Sequence, residues 1–263
     1  ARAGYDDNIA LLDEAGLPAG TTTDSPMVDV FGSFRGALSS RSGFRVEGSA
    51  YLLKYLDASD FDQSEFRGDA FYEWKPSDWR IQLGVHAGTG MLAGDAFDRK
   101  VGAQARVVRY VGDSSTIDVH YTYDDVSEAD AVFAGIAGSR QQFDARYRWY
   151  GDGHRVQLRY WVETNDRLDP GVSPERNRIA FDYRYQPESG LGYEAGVDFR
   201  RSDYDEVATP RQEDLLTLRA ALSYTFGNDW LFLVEYRHAD NDSTDATYAF
   251  DRGQFTFGAL KYF

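Results

Sequence analysis

Apolar and aromatic residues occupy every second position through most of this chain, and this alternation limits its fold more than any other feature. Between Leu216 and Phe226 the even positions are apolar or aromatic, and the odd positions carry small or polar side chains and one arginine. Between Ile179 and Tyr185 the odd positions are aliphatic or aromatic. Apolar residues on a helix would repeat at wider spacing, so the pattern predicts strands with one apolar and one polar face.

The alternating segments are numerous and long. About fourteen can be counted, and most exceed the ~5 to 6 residues of strands in soluble proteins. They match the ~9 to 11 residues that a tilted strand needs to cross a bilayer, whereas no apolar run approaches the ~20 residues of a membrane helix. We therefore predict an all-β, up-and-down antiparallel transmembrane barrel of about 14 strands, a single domain over residues 1–263. The approximate strand spans are 1–7, 26–38, 43–55, 63–74, 79–90, 97–110, 115–124, 140–150, 154–165, 177–186, 191–203, 214–226, 230–240 and 250–263.

The links between these segments alternate between short and long. In barrels that span the bacterial outer membrane, turns are short on the periplasmic side and loops are longer outside. The alternation therefore predicts that both chain ends lie on the periplasmic side. The short links are 39–42, 75–78, 112–114, 151–153, 187–190 and 227–229, and the longer ones include 8–25, 125–139, 166–176, 204–213 and 241–249.

Aromatic residues flank the short links. Tryptophan and tyrosine are enriched where strands meet lipid headgroups, because their rings have an apolar body and a polar edge. Four of the five tryptophans fall beside these links, which predicts an aromatic girdle at the periplasmic rim. Its predicted members are Trp74, Trp79, Trp149, Tyr185, Trp230 and Phe263.

The final segment alternates through Phe255, Phe257 and Ala259 and stops on Phe263. It resembles the last strand of Gram-negative outer-membrane β-barrels, although Lys261 stands where such strands usually carry an aromatic residue. The resemblance implies an integral outer-membrane protein in contact with membrane lipid and lipopolysaccharide. It also implies recognition of the terminal strand by the barrel assembly machinery, and transport as the general function.

Alternation also assigns the charged side chains to the lumen. Arginine dominates the cations, and it pairs with carboxylates in a planar, bidentate geometry that tolerates partial burial. The residues predicted to line a pore are Arg35, Glu47, Arg67, Asp69, Arg106, Arg146, Arg148, Arg159, Trp161, Asp182, Arg184, Asp198, Arg200, Arg219, Glu235 and Arg237.

Two interpretations of this charged wall are open. In the first, opposite charges neutralise each other along a wall that is polar only because it meets water. In the second, a basic stripe faces an acidic side across the barrel, and the field between them orients dipolar solutes. The stripe would contain Arg146, Arg148, Arg159 and Arg184, and the acidic side Asp29, Glu47, Glu65, Asp69 and Glu73.

The number of strands and two of the loops affect how wide and how open the pore is. Eight-stranded barrels are filled by side chains, whereas 16 to 18 strands leave an aqueous channel, so about fourteen predicts a narrow or gated pore. The links 8–25 and 125–139 carry apolar runs, including residues 131–136. Each run either enters the barrel as a plug or packs over its mouth.

Composition argues against several other functions. The chain has no cysteine and a formal net charge of −15, which excludes thiolate metal sites and disfavours nucleic acid as a partner. Of four histidines, His120 lies between Asp118 and Asp124 on one strand face, the minimal arrangement for base catalysis. No nucleophile motif accompanies it, so we predict neither enzyme activity nor a metal or cofactor.

Two transport functions are open, beside a purely structural or adhesive barrel. The first is a channel for small polar or charged solutes. The second is the membrane domain of an export system for exopolysaccharide or surface lipoprotein, with a gated lumen and a periplasmic partner. Residues 4–8 and the closing strand are similar to the C-terminal barrels of tetratricopeptide-linked export proteins. That resemblance implies a periplasmic N-terminal region preceding residue 1.

Overall fold

The structure is a computed structural model that describes residues 1–9, 24–37, 43–188, 190–226 and 230–261. Fourteen antiparallel strands form a closed barrel, in which each strand pairs with its neighbours in the sequence and β1 pairs with β14. The predicted fold class is confirmed. The strands are β1 Arg2–Asp6, β2 Ser25–Ala37, β3 Phe44–Tyr55, β4 Gln63–Trp74, β5 Trp79–Leu92, β6 Asp95–Val111, β7 Ser115–Glu128, β8 Gly138–Gly151, β9 His154–Arg167, β10 Glu175–Tyr185, β11 Gly190–Tyr204, β12 Arg211–Phe226, β13 Trp230–Ser243 and β14 Phe250–Lys261.

The predicted strand spans are close to the observed ones, and the main differences lie at the ends that meet the longer links. β7 continues to Glu128, four residues beyond its predicted end at 124, and β12 begins at Arg211, three residues before its predicted start at 214. Alternation marks only the part of a strand with one apolar face. Beyond that part both faces are polar, so the pattern stops before the hydrogen-bonded ladder does.

Burial in the barrel is inverted relative to a soluble protein. Phe34, Leu83 and Val101 are 66%, 61% and 63% exposed, whereas Asp118 and Asp124 are 2% and 0% exposed. The apolar face of each strand therefore points outward, and the charged face points into the lumen. An exterior of this kind is stable only against lipid. No helix in the described part of the chain is long and apolar enough to cross a membrane.

Two hairpins turn in only a few residues, and their backbones show why the turn residues are small or polar. The β5–β6 turn has Ala93 at φ 52° and Gly94 at φ 90°, and the β8–β9 turn has Asp152 at φ 46° and Gly153 at φ 80°. Positive φ at two successive residues matches the right-handed twist of the flanking strands. The remaining links include short 3₁₀ segments at Ser59–Phe61, Ala131–Ile136, Pro170–Val172 and Ala246–Tyr248.

Closure of the barrel depends on β1, which has only five residues. β1 pairs with β2 from Ser25 to Asp29, so residues 31–37 of β2 have β3 as their only strand neighbour among the described residues. Arg2 and the end of β14 lie at the same rim as the short turns.

One buried carboxylate joins β1 to its surroundings. Asp6 is fully buried. It accepts hydrogen bonds from both Arg252 and Gln254 of β14, the latter at 2.8 Å, and from the Tyr55 hydroxyl of β3 at 2.9 Å. These contacts tie the short strand to β14 on one side and, across β2, to β3 on the other.

Replacing this carboxylate should weaken barrel closure. We expect Asp6→Ala to destabilise the folded barrel by about 3 kcal/mol, because it leaves the guanidinium of Arg252 buried without its counter-charge. The unfolding temperature in detergent, followed by the mobility shift of heated and unheated protein on gels, measures this effect. Asp251→Ala is the control, since the neighbouring Asp251 side chain is 69% exposed. Equal unfolding temperatures for the two variants would contradict the role given to Asp6.

Candidate functional site

The inner wall carries a network of ion pairs between neighbouring strands. Asp118 on β7 accepts two hydrogen bonds from Arg106 on β6, at 2.8 and 2.6 Å, and a third from Arg148 on β8 at 3.2 Å. Asp118 is 2% exposed. A buried carboxylate bound by two guanidinium groups fixes both arginines against the wall.

A second carboxylate, Asp144 on β8, is shared in the same way. Arg146 contacts it at 2.8 and 2.6 Å, and Arg159 on β9 contacts it at 2.8 Å. Arg146 and Arg159 also lie directly opposite each other in the register of β8 and β9. Like charges in that position repel, so Asp144 stabilises the pair by neutralising half of its charge.

The predicted basic stripe is therefore largely neutralised. Arg184 pairs with Glu194, and Arg148 pairs with Asp118 and also donates to Gln157 at 2.7 Å. Together with the two arginines on Asp144, all four stripe members contact a carboxylate.

The predicted acidic side is compensated as well. Glu47 pairs with Arg35, Asp69 with Arg67 at 2.8 Å, and Asp29 with Arg2 at 2.7 Å. Charges on this wall thus cancel within a strand or between adjacent strands, which agrees with the first interpretation of the charged wall over most of its area.

Five inward arginines form no ion pair in the described ranges, namely Arg80, Arg155, Arg167, Arg200 and Arg237. Three of them stand opposite a second arginine. The register places Arg155 opposite Arg184, Arg200 opposite Arg178, and Arg237 opposite Arg219. In each pair the second arginine has a carboxylate partner: Glu194, Asp198 at 2.5 Å, and Asp182 at 2.9 Å. Arg155, Arg200 and Arg237 form no ion pair within the described part of the chain. This series of cross-strand arginine pairs runs from β9 to β13.

All sixteen residues predicted to line a pore lie on the charged face of their strands. Trp161 is opposite Asp144 and Arg178 in the register. The prediction omitted Arg155 and Arg178, although both stand at inward positions of the predicted spans 154–165 and 177–186. Alternation was a sufficient signal for their orientation, whereas the absence of a carboxylate partner depends on the register between strands.

The histidines have different partners from those that the sequence suggests. His120 contacts Gln104 at 3.1 Å and Thr122 at 3.4 Å rather than a carboxylate. His86 instead pairs with Asp124 at 2.5 Å, and Arg140 also binds Asp124 at 2.7 Å. The side chains of His86 and Asp124 are 1% and 0% exposed, so they brace β5, β7 and β8 out of reach of a substrate. No cluster of potential metal ligands occurs in the described ranges.

Side chains of the inner wall line several cavities in the described part of the barrel. One cavity of about 240 Å³ lies between β1, β2, β3, β4, β13 and β14 and includes Arg237, Arg2 and Asp29 in its lining. Another of about 240 Å³ lies between β2 and β7 and includes Arg35, Asp69 and Arg106. Each is smaller than a typical site for a drug-sized ligand, in keeping with a narrow bore.

The predicted girdle residues in the described part of the chain stand at one rim. Trp74 ends β4 and Trp79 begins β5, while Trp149 and Tyr185 are at the ends of β8 and β10 that meet short turns; Trp230 begins β13. The four tryptophans are 57%, 40%, 37% and 40% exposed in chain order. Phe263 lies outside the described residues.

Of the two apolar loops, most of 8–25 lies outside the described residues. The other, 131–136, contacts the rim: the rings of Phe133 and Phe97 are 4.9 Å apart. Its backbone is held by Arg167, which donates to the Ile136 carbonyl at 3.1 Å, and by the amide of Asp169, which donates to Gly135 at 2.9 Å. These contacts fasten the run 131–136 to β6 and to the β9–β10 link.

Solved structures of bacterial outer-membrane proteins share this fold. A monoaromatic hydrocarbon channel, CymD, superposes with a TM-score of 0.56 at 10% identity, over 100% of this chain and 87% of that one. A loop-deletion mutant of OmpT, an outer membrane protein of Vibrio cholerae, gives 0.53 at 12% identity over 100% and 98%. OccAB3 of Acinetobacter baumannii gives 0.53 at 10% identity over 99% and 97%. No protein-family model matches the sequence, and no curated protein does.

The shared carboxylate Asp144 should matter for stability mainly through the charges it neutralises. We expect Asp144→Ala to destabilise the barrel by about 2 kcal/mol, because two partly buried arginines then face each other unpaired. The triple variant Asp144→Leu, Arg146→Met, Arg159→Met should recover most of that loss, since it removes all three charges together. Thermal unfolding in detergent measures both effects, and a triple variant less stable than Asp144→Ala would contradict this explanation.

Proposed function

We propose that this chain, a β-barrel of the bacterial outer-membrane type, is an outer-membrane channel for small anionic solutes that pass through a narrow, arginine-lined lumen. The observation that carries the proposal is the series of cross-strand arginine pairs between β9 and β13. In each of these pairs one arginine lacks a carboxylate partner within the described residues. Outer-membrane lipid and lipopolysaccharide surround the barrel, with the short turns and both described chain ends on the periplasmic side.

The unpaired arginines give the lumen its anion preference. A cation whose counter-charge is missing from the protein attracts an anion from solution, and the low-dielectric wall strengthens that attraction. Arg237 lies near Arg178 and Arg252, with Glu235 and Asp198 as the nearby acids. Arg200 lies near Arg176 and Arg178, with Glu213 as the nearby acid. Because Arg178 is a neighbour of both, the two unpaired charges belong to one region of the wall, and a passing anion contacts them in succession.

The solved channels with this fold support a transport function. One is described as a channel for monoaromatic hydrocarbons, so the same architecture serves solutes of different chemistry, and the side chains of the inner wall determine which solute passes. Catalysis is not part of the proposal. Of the two histidine–aspartate pairs in the described ranges, His86–Asp124 is buried in the wall, and His238–Asp251 lies on the outward face of β13 and β14.

Selectivity in a planar bilayer tests the proposed function. With a KCl gradient across the membrane, the wild-type barrel should give discrete conductance and a reversal potential that indicates preference for chloride over potassium. In the triple variant Arg155→Gln, Arg200→Gln, Arg237→Gln this preference should fall by at least about threefold, since the unpaired positive charge is gone.

The matched control is Arg201→Gln. Arg201 is the neighbour of Arg200 on β11 but lies on the opposite face, where it pairs with Asp214 at 2.8 Å. Its replacement should leave the reversal potential unchanged. A wild-type barrel without chloride preference, or a triple variant that keeps it, would contradict the proposal.

The export function is a second candidate, and one observation favours it. Residues 31–37 of β2 present a sheet edge on the short-turn side of the barrel, and such an edge binds extended peptides by strand addition. A periplasmic segment seated there would connect the barrel to an export partner. Absence of conductance from correctly folded barrels would favour this candidate over an open channel.

A further inference from the structure

A broad, open apolar groove runs across the outer surface of strands β2 to β6. It has a volume of about 1010 Å³, at the upper limit of the roughly 300–1,000 Å³ typical of small-molecule sites. Its floor is made of residues with little or no side chain, and its walls of large apolar ones. The floor includes Gly32, Gly48, Ala50, Gly68 and Ala87, and the walls include Phe34, Phe66, Met91 and Val101.

The register explains the shape of the groove. Phe34, Gly48, Gly68, Ala87 and Val101 follow one another across five adjacent strands on the outward face. A Cβ atom added at Gly68 would meet no atom within 4 Å, so the space above this residue is open. At Gly48 the ring of Phe34 folds over the backbone and would lie 2.2 Å from an added Cβ. Glycine at 48 is therefore required for the position of the Phe34 wall.

The β5–β6 end of the groove lies toward the outer leaflet, whereas its Phe34 end is three residues from the short-turn end of β2. Trp79 and Arg109 are paired near the short-turn rim, and Thr89 and Arg99 are paired ten residues farther along β5 and β6. At about 3.3 Å per residue and a tilt of roughly 35–45°, ten residues rise about 25 Å, which is the height of the apolar band of such barrels. Arg99 therefore stands at the level of the outer headgroups, with the apolar groove directly below it.

Arg99 supplies a charge for a ligand in the groove. It is exposed on the outward face and lines the outer end of the groove, and it forms no ion pair among the described residues. Lys100 points to the lumen, where it binds Asp98 at 2.9 Å. Asp125, which is opposite Val101 on the same face, is the nearest acid in the register. Arginine binds phosphate bidentately, in a geometry that lysine lacks.

We infer that this groove binds one phosphorylated, multiply acylated glycolipid of the outer leaflet, that is, a lipopolysaccharide molecule. A phosphate of the headgroup binds Arg99, and acyl chains lie along the glycine and alanine floor between Phe34 and Val101. A cation directly above an apolar groove matches a ligand with phosphate above hydrocarbon. The volume of the groove suits acyl chains of a diacyl phospholipid as well as some of those of lipid A, so the choice of lipopolysaccharide rests on Arg99, which stands at the headgroup level of the outer leaflet.

Binding of defined lipids tests the inference. Folded barrels in detergent are mixed with bisphosphorylated lipid A, dephosphorylated lipid A or phosphatidylglycerol, and the bound lipid is counted by native mass spectrometry. Wild-type protein should hold one bisphosphorylated lipid A. Arg99→Gln should weaken its binding roughly tenfold, the usual contribution of a charge-assisted hydrogen bond, and should leave binding of the dephosphorylated form unchanged.

Two further variants test separately how the groove and the charge contribute to lipid binding. Gly68→Leu fills open space with an apolar side chain, so it should weaken both forms of lipid A while the barrel still folds. Arg109→Gln is the matched control, because Arg109 lies on the same face of β6 at the opposite rim, 5.2 Å over the ring of Trp79. It should bind as wild type does.

Three results would overturn the inference: equal binding of phosphatidylglycerol and lipid A by wild-type protein, an Arg99→Gln variant that binds bisphosphorylated lipid A as wild type does, or an equal loss in Arg109→Gln. Because the groove is on the lipid-facing surface, none of these results depends on whether the lumen conducts anions.

Discussion

Backbone hydrogen bonding in lipid is the constraint on which this structure depends. A strand that crosses a bilayer has no water for its amide and carbonyl groups, so each must pair with a neighbouring strand until the sheet closes on itself. Here closure passes through β1, the shortest strand, and the buried Asp6 fastens it to Arg252, Gln254 and Tyr55. The thirteen other strands are long and pair extensively with both neighbours, apart from the parts of β2 and β14 beyond the reach of β1.

A closed barrel turns the charged faces of its strands toward one another. Like charges on the inner wall therefore repel, and carboxylates must neutralise them. Arginines in register repel each other, and carboxylates such as Asp118 and Asp144 each neutralise two of them. From β9 to β13 the neutralisation is incomplete, because each carboxylate there lies nearer to one arginine of a pair. A wall that is balanced over most of its area thus keeps a group of unpaired arginines between β9 and β13, although the chain as a whole has a net charge of −15.

The orientation of nearly every strand residue could be predicted from the sequence, because side chains alternate between two faces with a period that does not drift. The pairing of charges could not. Asp144 binds Arg159 only because the register of β8 and β9 places these residues on the same face, two positions apart. The offset between strands is set by the turns and by closure of the whole barrel. The histidines show the same limit. The sequence singles out His120, because carboxylates flank it on its own strand, whereas His86 binds Asp124 two strands away.

The outer groove is likewise a feature that depends on strand register and not on any one segment. Gly48, Gly68 and Ala87 are far apart in the sequence and unremarkable there, and they form a floor only when three strands align them. The fold class, the strand number, the outward and inward faces and the alternation of short and long links could all be predicted from the chain, because they follow from local periodicity and turn chemistry. Which arginines are neutralised, which histidine is buried against a carboxylate and where the lipid-facing surface is hollow became clear from the folded barrel. Those properties depend on the register between strands, which no single segment contains.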